Sequence, residues 1–582
     1  MNISVTYPNN IYKLISTKML VFVLMLLIQS IIHAQIDRET RAVWVATNYR
    51  LDWPPPTYDQ EKQKQALVKI FDNIKEKNLN TVYFQVRNNG TVLFNSSYEP
   101  LSPYITGKVG GIASYDPLKF AIEEAHKHGL EIHAWINTVR CFTGNESATF
   151  NNPNHIAQRK PEWVVEDFRE GVKSYWLDPG LPEVREYIAN IIEEMVDKYD
   201  VDGVHLDFIR YPGKNFDDAF SYNVYANGIP LDDWRRNNIT SLVELINKKV
   251  KSKKPFVKMG AAPIGVFKNQ NGMFGWEGFT EIYQDSREWL RRGLLDYVAP
   301  QIYWSLNENT RFDLLAKEWV ENSFGRQVVL GIGAYKENVK PEIEEMINYS
   351  RIINADGVAF FRYSSIADYN FKNFHYKVLP TLMSWLGGIY PNPPSNLEVN
   401  VANSENGKYR LQWKVTEKQS KDSIAYFGLY SLPHPAAELL PDYLVDVIPA
   451  NQNSYSLIID KPDRVNYYFT LNSISKLWNE SIEPSNIVHI KNDDLAMMVK
   501  DFQITGKPIL TKDGEGNYML LIPSSISQEI ELLGKKENKW ALILKRDIAT
   551  GKNLISLKND SNRFDSLRIK FLGSGGEVEL RF

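Results

Sequence analysis

Short apolar segments alternate with amphipathic helical segments eight times between residues 40 and 385, and this alternation restricts the folds open to the chain. Segments of this length and apolarity are typical of strands buried in a parallel sheet. The predicted strands are residues 42–47, 81–87, 131–137, 203–207, 257–262, 297–303, 328–333 and 357–362. Eight β/α units over roughly 345 residues favour a closed (β/α)8 barrel with long loops over an open sheet.

Helical periodicity fills the gaps between these strands. The predicted helices are residues 58–77, 117–128, 182–199, 232–251, 278–292, 311–324 and 340–354, and a last helix at 374–386 follows the eighth strand. Gly129 closes one helix, and Pro182 and Pro341 stand at helix starts, where a missing N–H costs little. We therefore expect an α/β barrel over residues 36–386.

The fourth predicted strand ends abruptly in polar residues. Asp207 and Arg210 follow the apolar run, and Pro212 prevents regular continuation of the strand. Charged residues at the C-terminal ends of barrel strands line the active site rather than the core. Asp207 is therefore a candidate catalytic carboxylate, and the structural alternative is that it pairs with Arg210 or caps the next helix.

Polar and aromatic residues recur at the ends of the other predicted strands. Amides and guanidinium groups bond hydroxyls, and aromatic rings stack on sugars, so the set predicts a pocket for a polyhydroxylated ligand. The candidate substrate-binding residues are Trp44, Gln85, Arg87, His133, Asn137, Arg140, His205, Arg210, Gln301, Tyr303, Trp304 and Arg362. The long loops 88–116 and 138–178 are predicted to extend the binding surface on the same face.

Hydrolysis of a glycosidic bond uses two carboxyl groups. Asp207 is the first candidate, and Asp178, Glu277 and Glu308 are candidates for the second, although each also fits the role of a cap or a solvated charge. Neither a metal site nor a cofactor is predicted, since no HExxH, phosphate-binding or nucleophile-elbow motif is present.

The ends of the chain predict export and additional domains. Lys13 and Lys18 precede the apolar run 19–32, which predicts a signal peptide over residues 1–35, with an uncleaved anchor as the alternative. We therefore expect a periplasmic, extracellular or cell-surface protein without a membrane span after signal removal. Cys141 is the single cysteine, so no intrachain disulfide forms, and the net charge of −3 gives no reason to expect nucleic acid as a partner.

The sequence changes character after the barrel. Residues 387–394 are rich in proline and glycine and predict a linker. Short strands at 396–401, 408–415, 425–431, 455–459 and 466–472 predict a β-sandwich over 395–490, which resembles a fibronectin type III module through Trp413, Tyr467 and Tyr468. Strands at 518–522, 529–533, 540–545, 567–571 and 577–582 predict a small all-β domain over 495–582.

Several stretches of the barrel region resemble glycosyl-hydrolase-like family 10, which comprises secreted TIM-barrel proteins that include peptidoglycan glycan hydrolases. The matching stretches include Glu39-Thr-Arg-Ala-Val-Trp-Val-Ala46, His133-Ala-Trp-Ile-Asn137, Trp176-Leu-Asp-Pro-Gly180, Asp202-Gly-Val-His-Leu-Asp207 and Pro300-Gln-Ile-Tyr-Trp304. The resemblance implies a glycan substrate and an active-site role for Asp207. The chain departs from the family pattern at Phe208 and Thr91, where acidic residues are usual, and at Thr138, where proline is usual.

These observations support three functional hypotheses. The first is a secreted glycoside hydrolase that acts on a polysaccharide or cell-wall glycan through Asp207 and a second carboxylate. The second is a non-catalytic glycan-binding protein that retains the barrel pocket, which Phe208 and Thr91 favour. The third is a surface scaffold in which the C-terminal β-domains carry the function.

Overall fold

The computed structural model describes residues 37–144, 146–169, 171–403, 407–415, 424–459, 466–491, 507–512, 518–524, 528–537, 539–549, 551–557, 564–572 and 576–581. The predicted signal peptide lies outside these residues. Among the helices of the described segments, none is both long and apolar enough to cross a bilayer.

Eight parallel strands close into a barrel. They are β1 (Thr40–Val45), β2 (Thr81–Asn88), β3 (Glu131–Asn137), β4 (Gly203–Asp207), β5 (Lys258–Ala261), β6 (Tyr297–Val298, resumed at Gln301–Ile302), β7 (Gln327–Ile332) and β8 (Gly357–Phe360). The strands follow one another in chain order, and β1 pairs with both β2 and β8. This closure confirms the TIM-like barrel predicted from the eightfold alternation.

Helices connect successive strands on the outside of the barrel. They are α1 (Gln60–Glu76), α2 (Pro117–Lys127), α3 (Pro182–Lys198), α4 (Leu231–Lys253), α5 (Ser286–Arg291), α6 (Phe312–Glu321) and α7 (Ile343–Ile352). In α1 the buried residues include Leu67, Phe71 and Ile74, at the spacing that places them on one face, and Asp59 caps the first turn.

Three predictions of local structure were wrong. Predicted strand 297–303 is interrupted because Pro300 has no N–H to donate to the ladder. Predicted helix 278–292 is divided into Gly278–Glu281 and Ser286–Arg291. Predicted helix 374–386 forms only a 3-10 turn at Ser384–Leu386, and the chain before it packs Phe371 and Phe374 against Phe360 at the end of β8.

Residues 138–178, predicted to be a loop, form a three-stranded antiparallel sheet. Its strands are Arg140–Thr143, Val164–Arg169 and Val172–Leu177, in which the last strand lies in the middle. Loop 88–116 likewise contains the short strand Thr91–Val92 and the short helix Pro103–Thr106. Both segments leave the C-terminal ends of their barrel strands, so they extend the face on which barrel sites are built.

Polar side chains inside the barrel are connected by a series of hydrogen bonds. The Trp44 indole donates to His205 Nε2 at 3.0 Å, and Tyr297 Oη lies 2.9 Å from His205 Nδ1 and 2.6 Å from His133 Nδ1. Because an indole only donates, His205 accepts at Nε2 and carries its proton on Nδ1, which donates to Tyr297. Burial lowers the pKa of His205 well below its ordinary value, which keeps this imidazole neutral.

Glu131 and Lys258 form a buried ion pair at the opposite end of the barrel. Burial alone would raise the pKa of Glu131, but the ammonium group of Lys258 and the ring of His133 outweigh burial and hold the pKa at about 2. Glu131 begins β3, so this pair lies at the end away from Asp207.

The chain after the barrel is built of antiparallel sheets. The first group has a three-stranded sheet (Ser395–Asn403, Lys408–Lys414, Ser454–Ile458) and a four-stranded sheet (Tyr426–Leu432, Leu444–Pro449, Asn466–Ile474, Val488–Lys491). Both sheets contribute to one core that includes Leu411, Trp413, Phe427 and Leu471. The predicted sandwich omitted the strands at 444–449 and 488–491, and its fibronectin type III identity stays a prediction.

The last group also has two sheets. One contains Ile509–Lys512, Tyr518–Ser524 and Gly551–Leu557, and the other contains Gln528–Lys536, Lys539–Ile548, Ser566–Phe571 and Glu577–Arg581. Leu520, Ile530, Leu532 and Leu567 lie in their shared core. The predicted residues 495–506 lie outside the described part of the chain.

Candidate active site

A cavity of about 230 Å³ lies at the C-terminal ends of the barrel strands. Residues on or directly after β1 to β6 and β8 line it, together with residues of the intervening loops. The lining comprises Trp44, Ala46, Asn48, Leu51, Gln85, Trp135, Arg140, Asp207, Phe208, Arg210, Ala262, Ile264, Trp276, Gln284, Gln301, Tyr303 and Phe361. Convergence of several strand ends on one cavity is the position that active sites occupy in this fold.

Asp207 is the carboxylate in this lining. Its Oδ1 accepts from the Phe208 N–H at 2.7 Å and from the Gln301 amide at 3.3 Å, and its Oδ2 accepts from the Trp135 indole at 3.1 Å. Trp135 and Gln301 belong to the neighbouring β3 and to β6, so the barrel fixes the carboxylate from two sides. Burial raises the pKa of Asp207. The hydrogen bond from the Phe208 N–H and the charges of Arg140 and Arg210 act in the opposite direction and do not outweigh burial.

The guanidinium groups of Arg140 and Arg210 both lie against the ring of Phe208. The guanidinium carbon of Arg140 is 3.4 Å from the centroid of the Phe208 ring, and that of Arg210 is 5.0 Å away. Trp176 adds a ring 5.2 Å from Arg210, and Trp276 adds another at 4.6 Å. Aromatic faces attract cations, so these rings orient both side chains.

Phe208 itself has a backbone conformation that bulky residues rarely adopt. Its φ is 49°, in the left-handed region, where such a residue costs about 1–3 kcal/mol. The turn directs its N–H onto the Asp207 carboxylate and places its ring within reach of both arginines. Strain of this kind at a strand end is typical of functional sites.

Some predicted binding residues lie beside the cavity rather than in its lining. The Gln85 amide, which is in the lining, accepts from the Asn48 N–H at 2.8 Å and donates to Asn137 at 3.3 Å. Arg362 donates to the Leu51 carbonyl and to Asp52. Of the twelve predicted residues, Trp44, Gln85, Arg140, Arg210, Gln301 and Tyr303 line the cavity, whereas Arg87, His133, Asn137, His205, Trp304 and Arg362 do not.

The three other candidate carboxylates make local structural contacts outside the cavity lining. Asp178 accepts from the Ser221 hydroxyl at 2.5 Å and from the Gly180 N–H at 2.8 Å. Glu277 accepts from the Asn269 N–H at 2.6 Å, and Glu308 accepts from the Ser305 N–H at 2.9 Å. These bonds give each of the three carboxylates structural partners, although Glu277, which precedes the helix Gly278–Glu281, makes no side-chain capping bond to it.

Asp167 was missed by the sequence predictions. It stands on the strand Val164–Arg169, where Val165 pairs with Trp176 and Asp167 pairs with Ser174. The period of two therefore places Asp167 on the same face as Trp176, which packs on Phe208. Its charge acts on Arg210, and only about a tenth of its side chain is exposed.

Aromatic residues were also missed. Trp135, Phe208, Trp276 and Phe361 line the cavity, and Trp276 is 37% exposed, as a stacking surface at an opening requires. The alternation along β3 supplied a signal for Trp135, which is two residues from His133. Trp276 lies in a long loop after β5, where no periodic signal is available.

Within the described residues, no cluster of three or more histidine, cysteine, aspartate or glutamate side chains has a geometry that holds a metal ion. What the cavity offers is one buried carboxylate, amide donors, two guanidinium groups and exposed aromatic faces. These groups on a (β/α)8 barrel define a glycoside hydrolase-type protein.

Comparisons with known proteins agree with this class. The chain belongs to the glycosyl hydrolase-like 10 family, whose model matches residues 39–350, and this confirms the resemblance predicted from the sequence motifs. It is 34% identical over 433 residues to the glycosyl hydrolase YngK of Bacillus subtilis, covering 68% of this chain and 84% of that protein.

Two further similarities complete the comparison. The chain is 37% identical over 341 residues to the glycosyl hydrolase DigH of Escherichia coli K12, covering 54% of this chain and 78% of that protein. Among solved structures, the glycoside hydrolase domain of PgaB from Bordetella bronchiseptica aligns with 58% of this chain and 99% of that domain, at 14% identity and a TM-score of 0.42. The structural likeness is too distant to add to the family assignment.

Proposed function

We propose that the protein hydrolyses glycosidic bonds of a polysaccharide and that Asp207 is one of its catalytic carboxylates. The observation that supports this most is the environment of Asp207. It lines the cavity at the end of β4, it is held by Trp135, Gln301 and the Phe208 N–H, and no ion pair ties it to either arginine in the described structure. The ion pair with Arg210 that would give Asp207 a structural role is thus absent among the described residues.

The raised pKa of Asp207 suits chemistry that moves a proton. A raised pKa keeps a larger fraction of a carboxyl group protonated near neutral pH, so that the group can protonate a leaving oxygen, whereas its ionised form is the nucleophile or base. The cavity volume of about 230 Å³ is below the roughly 300–1,000 Å³ of sites for drug-sized ligands, so it holds one sugar unit, with neighbouring units outside.

Asp167 is our candidate for the second carboxylate. It shares a strand face with Trp176, and its ion-pair partner at 3.4 Å is Arg169, whose guanidinium lies 5.7 Å from the ring of Trp276. Asp167 is thus on the side of the hairpin that faces the cavity, whereas Asp178, Glu277 and Glu308 are occupied by local hydrogen bonds.

We further propose that the substrate is a polysaccharide outside the cytoplasm, with peptidoglycan glycan strands the first to examine. The family resemblance and the predicted signal peptide over residues 1–35 support this proposal. We also propose that the seven-stranded sandwich is a fibronectin type III-like module, for which its sheets of three and four strands are the support.

The test is release of reducing ends from a panel of polysaccharides, including peptidoglycan glycan strands. Asp207→Asn and Asp167→Asn are each compared with Asp197→Asn, which changes a half-exposed aspartate on α3. We expect Asp207→Asn to lose at least a thousandfold in kcat with an unchanged melting temperature, and Asp197→Asn to behave as wild type. Unchanged activity in Asp207→Asn would remove that residue from the mechanism.

A non-catalytic glycan-binding role is the second candidate. Among the described residues that line the cavity, Asp207 is the one carboxylate. Hydrolysis uses two carboxyl groups, so this observation favours binding without catalysis. Binding and hydrolysis measured on the same panel separate the two functions. Retained affinity without product from the wild-type protein would favour the binding role.

A further inference from the structure

Two arginines of the cavity have no carboxylate partner. In the described part of the chain the Arg140 side chain makes neither a hydrogen bond nor an ion pair, and the Arg210 side chain donates one bond, to the Tyr211 carbonyl at 3.1 Å. Buried or half-buried guanidinium groups are ordinarily paired, since taking an uncompensated charge out of water is costly. An unpaired cation that lines a cavity therefore requires an explanation.

The arginines are held by aromatic faces instead of by acids. The Phe208 ring lies 3.4 Å from the Arg140 guanidinium carbon, and the Trp276 ring lies 4.6 Å from that of Arg210. Stacking on a ring fixes the plane of a guanidinium group and leaves its N–H donors unused. Most of the donors of both residues thus remain available for a ligand.

Asp207 does not neutralise this pair. It carries at most one negative charge against two positive charges, and its oxygens already accept bonds from Trp135, Gln301 and the Phe208 N–H. At the rim Asp167 is offset by Arg169, its ion-pair partner at 3.4 Å. The cavity and its rim therefore hold three arginines and two aspartates, an excess of one positive charge.

The two guanidinium groups remain charged near neutral pH in spite of this environment. Burial lowers the pKa of Arg140 to about 10, and burial together with the charge of Arg140 lowers the pKa of Arg210 to about 9. An anion bound to both guanidinium groups would stabilise their positive charges and so raise both pKa values.

We propose that Arg140 and Arg210 form a subsite for an oxyanion substituent of the substrate, so that the protein acts on an acidic polysaccharide. This inference rests on the proposed function and adds the class of its substrate. The planar fork of arginine matches a carboxylate, and it also matches a sulfate, which offers the same oxygen geometry. Phe208 contributes a ring and no charge, so it holds Arg140 without neutralising it.

Binding is measured by calorimetry in the Asp207→Asn protein. In this variant an arginine substitution cannot change binding by altering the ionisation of Asp207, and hydrolysis does not consume the probe. The carboxylated probes are oligogalacturonides and hyaluronan oligosaccharides, each paired with its carboxyl-reduced form. Oligosaccharides of κ-carrageenan, paired with their desulfated form, supply sulfate without carboxylate.

We expect a carboxylated or a sulfated probe to bind at least tenfold more tightly than its uncharged counterpart, as a charge-assisted hydrogen bond implies. Which of the two anions is preferred identifies the natural substituent. Adding Arg140→Gln is expected to remove most of this preference, so that the affinity for the charged probe falls at least fivefold more than the affinity for the uncharged probe. Arg140→Lys is expected to restore part of it, because lysine keeps the charge and loses the fork.

Arg291→Gln is the matched control, since Arg291 is an exposed arginine of α5 that pairs with Glu288. It should leave the affinities for charged and uncharged probes unchanged. Circular dichroism and the melting temperature identify any variant that fails to fold, and for Arg140 the lysine variant then carries the test.

Equal affinity for charged and uncharged probes, equal losses on both in Arg140→Gln, or no binding of any anionic probe would overturn the inference. These outcomes are independent of catalysis. Anion-selective binding by a wild-type protein that releases no reducing ends would refute the proposed hydrolysis and leave the anionic subsite in place.

Discussion

Asp178 shows how burial at a single residue produces the signature of a catalytic acid without a place in the cavity. Its carboxylate is 6% exposed, and burial raises its pKa to about 6 even though Ser221 and the Gly180 N–H donate to it. Nearby Asp218 adds a smaller effect in the same direction. Asp207 combines a raised pKa with a position in the cavity, and this combination is what distinguishes it from Asp178.

The pH dependence of stability tests this reading of Asp178. Because the folded pKa lies above the ordinary value of 3.8, folding favours the protonated carboxyl, so its contribution is fully present below about pH 4 and is lost as the pH rises through about 6. The loss is worth up to roughly 3 kcal/mol. We expect Asp178→Asn to flatten the fall in the free energy of unfolding between pH 4 and 7 and to retain hydrolysis.

Urea unfolding at several pH values measures the first effect, and release of reducing ends measures the second. A variant with wild-type pH dependence of unfolding but no hydrolysis would move Asp178 from the structural to the catalytic group.

At the scale of secondary-structure elements, Arg87 at the end of β2 forms hydrogen bonds both to the end of β3 and to the loop that follows β2. Its guanidinium makes two bonds to Glu99, at 2.8 and 2.5 Å, and bonds to the carbonyls of Asn137 and Thr138. Tyr187 of α3 donates to the same glutamate at 3.1 Å. This network is fully buried, so it supports the cavity from outside its lining.

Removing the charge of Glu99 is therefore expected to destabilise the barrel. Glu99→Gln leaves Arg87 as a buried cation without a counter-charge, which costs about 3–5 kcal/mol of unfolding free energy. Urea unfolding measures the difference. The matched control is Glu61→Gln, which breaks an exposed pair with Lys64 and is expected to cost about 0–1 kcal/mol. A loss below about 1 kcal/mol in Glu99→Gln would show that the ion pair contributes little.

At the scale of the whole molecule, the residues of the cavity all come from the barrel. The lining runs from Trp44 to Phe361, and the antiparallel sheets begin at Ser395. The cores of the two sheet groups consist of residues after 395. The chemistry proposed for the cavity thus needs no residue after 390.

A chain that ends at residue 390 tests this separation. We expect it to unfold cooperatively on heating and to release reducing ends from soluble oligosaccharides with a kcat within about threefold of the full chain. Loss of function on deletion of residues 391–582, with cooperative unfolding preserved, would instead favour the hypothesis in which the β-domains carry the function.

The sequence by itself determined the architecture of this protein and the strand that carries the proposed catalytic carboxylate. Alternating periods of apolar residues are a local property, and they gave the eight units, the bounds of β3 and β4, and the end of the barrel at which Asp207 lies. The motifs were also local enough to reveal the family.

Tertiary structure decided which polar residues share the cavity. His205 and Asp207 are two residues apart and share one face of β4, yet His205 bonds to Trp44 inside the barrel while Asp207 lines the cavity. How deep each side chain lies in the barrel depends on how the strands tilt and close. The alternation of residues along one strand carries no information about that closure. Trp276 and the hairpin that carries Asp167 come close to Arg210 only through contacts between distant parts of the chain. No local sequence pattern could therefore predict their place near the cavity.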